Sequence, residues 1–162
     1  MSDESLEILV GGLLRRRGLR LAMAESCTGG LVSHLVTNVA GASSYFVGGV
    51  TAYANQAKVR LLGVKWETLE NYGAVSAETV IEMARGVRTA LEADIGISTS
   101  GIAGPGGGTP GKPVGTVWIG LSARETETAQ HFLWPGDRLA VKEQSAQAAL
   151  ALLAEYLQGA NP

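Results

Sequence analysis

One cysteine and two histidines in 162 residues leave little of the chemistry that disulfides and transition-metal sites require. A single thiol, Cys27, cannot close an internal disulfide, and no Cys/His array has zinc spacing. Charge is also scarce: Asp, Glu, Lys and Arg make up 17% of the chain, where roughly a quarter is usual. The balance is −2, so there is no basic footprint for DNA or RNA, whose affinity comes largely from phosphate neutralisation. The amino end, MSDESLEI, lacks both a basic and an apolar leader stretch, and no run reaches the roughly 18 apolar residues of a membrane span. These absences point to a soluble cytoplasmic protein with neither nucleic acid nor membrane as partner. A thin coat of charge further points to surface hidden in an oligomer.

Glycine, by contrast, is abundant at 22 residues, and it gathers in particular loops instead of forming a repeat. The length suits one well-buried core, and a single domain over 1–162 is expected. Residues Ser2 to Arg17 have helical spacing, with Ser2 or Asp3 as cap and the Arg15-Arg16-Arg17 run complementing the dipole at the carboxy end. Gly18 stops the helix, and a strand is expected at about Leu19 to Ala24. The turn AESCTGG then leads into a helix ending near Val39. A second strand is expected at Phe46 to Ala54, followed by Asn55 as N-cap of a short helix from Gln56 to Leu62, and a further helical turn at Trp66 to Asn71. Ser76 reads as the cap of a longer helix whose Val80, Met83, Val87 and Leu91 share a face.

A strand at Ile95 to Ser100 then opens into Gly101 to Gly115, a segment too poor in side chains to pack by itself and read as a binding loop. Two adjacent strands follow, 115–123 and 127–134, and Asp137 caps a final helix from Arg138 to about Leu157. Helices alternating with strands predict an α/β fold, a three-layer α/β/α sandwich around a mixed, mostly parallel sheet.

The chemistry concentrates at AESCTGG, a strand-to-helix turn whose amides and dipole suit an anion or oxyanion beside an attacking side chain. Two nucleophiles compete there, Ser26 and Cys27, since a helix N-terminus lowers a thiol's pKa. Glu25, Thr28, Gly29 and Gly30 complete the turn as substrate contacts. With Asn55 as cap, Lys58 falls in the first helical turn, where the dipole disfavours its charge and favours the neutral base. His34, within a helix, and His131, within a strand, are badly placed to activate a serine. The bases left are Lys58, Tyr53 and Glu25. Asn55 is both a cap and a candidate substrate contact, and Thr99, Ser100, Gly101, Gly104 and Gly106 line the mouth of the glycine loop. Arg138, opening the last helix against its dipole, is the best side chain for an anion. Trp118 lies close enough to the loop in sequence to meet an aromatic ring.

AESCTGG, TAYANQAK, YGAVS (72–76), SGIAGPGGG (100–108), KPVGTVW (112–118) and PGDR (135–138), in this order, resemble the carboxy-terminal domain of the CinA family. The same fold also occurs alone as the nicotinamide mononucleotide deamidase PncC. The resemblance covers nearly the whole chain. It implies hydrolysis of nicotinamide mononucleotide to nicotinic acid mononucleotide and ammonia in NAD recycling, with Ser26 as nucleophile and Tyr53 and Lys58 as its activating partners. It implies neither metal nor cofactor, and together with the low charge it points to a homodimer or higher homo-oligomer. Larger members carry a further nucleotide pyrophosphatase domain, for which 162 residues leave no room. The competing expectation is a catalytically silent module that binds a nucleotide or a protein and is linked to competence or the DNA damage response.

Overall fold

The computed structural model describes residues 4–159, which form α1 (Leu6–Arg17), β1 (Leu21–Glu25), α2 (Leu31–Thr37), β2 (Phe46–Thr51), α3 (Asn55–Leu62) and α4 (Trp66–Tyr72) in its first half. The second half comprises α5 (Ala77–Ala90), β3 (Ile95–Gly101), β4 (Thr116–Ala123), β5 (Glu127–Leu133) and α6 (Arg138–Leu157). The strands make one sheet in the order β2-β1-β3-β4-β5. β1 runs parallel to both its neighbours, whereas β4 is antiparallel to β3 and to β5. Four strands therefore point one way and β4 the other, the mixed α/β/α sandwich expected from the element order.

Side-chain alternation along β1 builds both faces. Leu21 and Met23 join the core under α1, α2 and α6, while Ala22 and Ala24 join the smaller core under α3, α4 and α5. Residues buried on both faces explain why β1 reads as a continuous apolar run. No helix among the described residues is long and apolar enough to cross a membrane.

Several boundaries differ from the sequence expectation for identifiable reasons. Ser2 and Asp3, the expected caps of the first helix, lie outside the described residues; α1 starts at Leu6 with Ser5 in the cap position. Gly18 has φ 64°, and the amide of Leu19 closes on the Leu14 carbonyl, so Leu19 finishes the helix stop and β1 begins at Leu21. The expected extension of the second helix to Val39 is not made: α2 ends at Thr37, with Asn38 as its C-cap. β2 stops at Thr51 because the carbonyls of Ala52 and Tyr53 turn toward Lys58. Ser76 and Asp137 cap their helices as expected, accepting from the amides of Thr79 and Ala140.

The three parallel strands β2, β1 and β3 end on the same edge of the sheet, and so does β5. β1 lies where the connections diverge, its chain leaving to β2 on one side while β3 pairs on the other. Crevices at such a point, beyond the carboxyl ends of the strands, are where open α/β sheets bind ligands. AESCTGG, the β2–α3 connection, the glycine loop and the start of α6 all converge there.

Candidate active site

Ser26 leaves β1 at this edge, its amide held by the carbonyl of Thr99 at 3.0 Å. Lys58 reaches it from α3. The lysine is 1% exposed, and its Nζ lies 3.1 Å from Ser26 Oγ, 3.0 Å from the Ala52 carbonyl and 3.1 Å from the Tyr53 carbonyl. No carboxylate is among these partners. Burial without a counter-charge pushes the Lys58 pKa down from its ordinary value, slightly opposed by the nearby Cys27. A neutral amine has two N–H donors and one lone pair. With the donors on the two carbonyls, the lone pair faces the Ser26 hydroxyl.

The sequence argument reached Lys58 by a different route, and the structure corrects it. Ala54 is the N-cap of α3 and Asn55 its first residue, without a side-chain capping bond. Lys58 is thus one residue deeper than expected, and burial is the main cause that lowers its pKa.

Cys27 is 5% exposed, and burial pushes its thiol up to about 12. The expected lowering of the thiol pKa at a helix N-terminus fails because desolvation outweighs it, and it is the Ser26 hydroxyl that hydrogen-bonds to the Lys58 amine. Glu25 is likewise not available as a base. Its Oε1 accepts from Thr28 Oγ1 at 2.6 Å and from the Val32 amide at 2.9 Å, and its Oε2 accepts from the amide and hydroxyl of Ser33 at 3.0 and 2.8 Å. The carboxylate thereby caps α2 from the end of β1. Thr28 Oγ1 also hydrogen-bonds to Thr99 Oγ1 at 2.7 Å, and both threonines are buried behind the turn.

A cavity of about 280 Å³ opens over Ser26, lined also by Cys27, Lys58, Ser100, Gly106 and Arg138. Of the residues expected at the site, Tyr53, Asn55, Gly101 and Gly104 line it too. Glu25, Thr28 and Thr99 sit behind its wall, and Gly29 and Gly30 face a separate groove with Lys142 and Leu139. Tyr53 touches Lys58 only through its carbonyl; its phenol oxygen instead accepts from Arg138 Nη2 at 2.9 Å. Arg138 Nη1 donates to the Gly104 carbonyl at 2.8 Å. Trp118 packs against His131 with the rings tilted by 33° and their centroids 4.9 Å apart, and it is not part of the cavity lining. His34 bonds to Asn38 on the exposed face of α2. Among the described residues no three His, Cys, Asp or Glu side chains cluster closely enough to hold a metal ion.

The model of the CinA C-terminal domain matches residues 3–157. The chain belongs to the CinA family. A CinA-like protein of Kosmotoga olearia is 51% identical over 150 residues, covering 93% of this chain and 36% of that one. A CinA-like protein of Thermotoga neapolitana is 50% identical over 158 residues, covering 98% and 38%. The chain thus spans little more than a third of the curated relatives it matches. Among solved structures, a competence-damaged protein (CinA) superfamily protein of Klebsiella pneumoniae superposes with a TM-score of 0.92 at 40% identity, covering 95% of this chain and 96% of that one. The competence/damage inducible protein CihA of Agrobacterium tumefaciens gives 0.90 at 34% identity, with 98% of each chain covered.

Two wall residues of this CinA domain, Ala74 and Val75, were not among the expected site residues, and Ile102, Ala103 and Gly107 join the wall from within the expected binding loop. Their side chains carry no chemistry to flag them. Ser100 Oγ donates to the Ala74 carbonyl at 2.8 Å and fastens that stretch against β3. The carbonyls of Ala52 and Tyr53 had no side-chain signal either, yet they orient Lys58. A larger apolar groove of about 560 Å³ between α6 and β5, lined by Phe132, Trp134 and Ala148, brings no nucleophile to a base.

Proposed function

We propose that the chain is an amidohydrolase that converts nicotinamide mononucleotide to nicotinic acid mononucleotide and ammonia. The observation that carries the reading is the buried Lys58 amine, 3.1 Å from Ser26 Oγ and fixed by two main-chain carbonyls. A serine hydroxyl is a weak nucleophile until a base takes its proton, and a lysine whose charged form burial disfavours supplies such a base in its neutral form. Neutral Lys58 accepts the Ser26 proton as Oγ bonds to the carboxamide carbon. The carbonyl electrons move to oxygen, for which the amide of Cys27, the residue after the nucleophile, is the candidate donor. Collapse breaks the C–N bond, Lys58 returns the proton to the leaving nitrogen, and ammonia departs. Water, deprotonated by the same amine, then cleaves the acyl-enzyme and regenerates Ser26.

The Gly29 amide does not serve the oxyanion, since it donates to the Ser26 carbonyl at 3.0 Å. The substrate's phosphate is assigned to Arg138, which has no carboxylate partner among the described residues. Ammonia release from nicotinamide mononucleotide by the purified chain tests the reading. Turnover is expected in the wild type and a loss of about 10³-fold or more in Ser26→Ala, on the scale of nucleophile removals in other serine hydrolases. Absence of ammonia release by the wild type, or its persistence in Ser26→Ala, overturns the reading and leaves a binding module.

A further inference from the structure

The connection from α4 to α5 supplies Ala74 and Val75 to the cavity wall. It is neither helix nor strand, yet three successive carbonyls where it begins are each held by a side chain. Ser100 Oγ of β3 donates to the Ala74 carbonyl at 2.8 Å, and Thr79 Oγ1 of α5 donates to the Gly73 carbonyl at 2.7 Å. The third carbonyl, that of Tyr72 at the end of α4, accepts from Lys112 Nζ at 2.7 Å. A cation there fills an acceptor that the helix leaves open. The ammonium lies against Gly73, which has φ 79° and where a Cβ would come within 3.2 Å of Nζ.

Ser100 and Thr79 belong to the sheet and to the helix packed on it. Lys112 belongs to the tip of the glycine loop, and local chemistry sets its direction. Thr109-Pro110-Gly111-Lys112 is a β-turn: Pro110 presets φ at the second position, and the Lys112 amide donates to the Thr109 carbonyl at 3.1 Å. The Thr109 amide returns a bond to the Lys112 carbonyl at 2.9 Å. Among the described residues, no other hydrogen bond leads from 105–112 out of the loop. Gly106, Gly107, Gly108 and Gly111 make this tip costly to order, because glycine loses the most backbone freedom. Gly106 and Gly107 line the cavity as Ala74 and Val75 do, so one hydrogen bond joins two of its walls. Lys112 itself is outside the lining and has no ion-pair partner among the described residues.

We propose that Lys112 is a positioning residue: it straps the tip of the glycine loop to the end of α4 and holds the two walls at a fixed separation, so that substrate meets a cavity already formed. The proposal rests on the amidohydrolase reading for its substrate. It concerns how the cavity is kept, and not which group of the substrate each wall receives.

Lys112→Met and Lys112→Arg test it in the full chain. Native-state amide exchange is followed at Gly73 and Thr109, whose amides donate to the Leu69 and Lys112 carbonyls at the two ends of the strap. Lys112→Met is expected to speed both about threefold or more, the scale of one lost charge-assisted hydrogen bond. Lys112→Arg, which still carries a donor for the Tyr72 carbonyl, keeps both within about twofold of the wild type. In ammonia release from nicotinamide mononucleotide, Lys112→Met raises KM about three- to tenfold and leaves kcat within about twofold. Kd rises by the same factor when the mononucleotide is titrated calorimetrically into Ser26→Ala proteins with and without Lys112→Met. Faster exchange at only one of the two amides, or at neither, overturns the strap. Faster exchange at both with KM and Kd unchanged, or losses that Lys112→Arg does not recover, overturn the positioning role. If the wild type releases no ammonia, the reaction reading fails by itself, and the two amides still decide the strap.

Discussion

Lys58 is the base of the proposed reaction and its burial carries a cost in stability, and both can be read through pH. Its folded pKa lies below the roughly 10.4 of an unfolded lysine. Activity needs the neutral amine, so kcat/KM should rise with pH through the folded pKa of Lys58 and level off above it. A pH–rate profile flat across that range, or falling, contradicts the assignment. The sign for stability follows from proton counts. Between the folded pKa and about 10.4 the unfolded state binds more protons, so stability rises with pH in that window. Below it both states are protonated, the slope vanishes and the burial penalty is felt in full. Cys27 acts in the opposite direction between its ordinary value of 9.0 and about 12, since its thiol ionises first in the unfolded chain. Because Cys27 is common to both proteins, the difference between wild type and Lys58→Met isolates the lysine. Urea unfolding across pH should show a wild-type minus Lys58→Met stability difference that rises through the lysine's window, with Lys58→Met folded and inactive.

The element that presents the nucleophile is held by a carboxylate that takes no part in the proposed reaction. Glu25 accepts four hydrogen bonds from the turn and the first residues of α2, and Thr28 passes the restraint to Thr99, whose carbonyl holds the Ser26 amide. A helix of seven residues has little stability of its own, so its cap and its packing must supply it. Glu25→Ala leaves buried donors without acceptors and is expected to lower unfolding free energy by about 2–4 kcal/mol. Denaturant titration measures this, and a loss below about 0.5 kcal/mol would place the turn's stability elsewhere. The role of Glu25 was illegible in the sequence because its four donors come from positions up to eight residues away, brought round by the tight turn. The caps Ser76 and Asp137, by contrast, were legible because their partners lie three residues on.

Across the whole molecule, four loops that are far apart in sequence meet at one edge of the sheet. Only 17% of the residues are charged, and Leu133 and Leu139 stand 60% and 72% exposed close to α6. Exposed apolar side chains on a chain of low overall charge predict a dimer of the 16.8 kDa chain. Sedimentation velocity should return about twice that mass at micromolar concentration, and a monomer at that concentration would contradict the expectation.

Element order, the mixed sheet and the helix caps at Ser76 and Asp137 were determined by the sequence alone, since periodicity and capping act over three or four residues. The sequence also narrowed the nucleophile to Ser26 or Cys27 and brought Lys58 forward as a base. The family resemblance preferred Ser26 to Cys27, and only the tertiary structure showed the Ser26 hydroxyl against the buried Lys58 amine. It also buried the Cys27 thiol, turned Glu25 from base to cap, and carried the Tyr53 phenol to Arg138. Each of these outcomes depends on which side chains lose water and which carbonyls face inward. Those are properties of packed neighbours drawn from β1, β2, β3 and α6, and no local spacing encodes them.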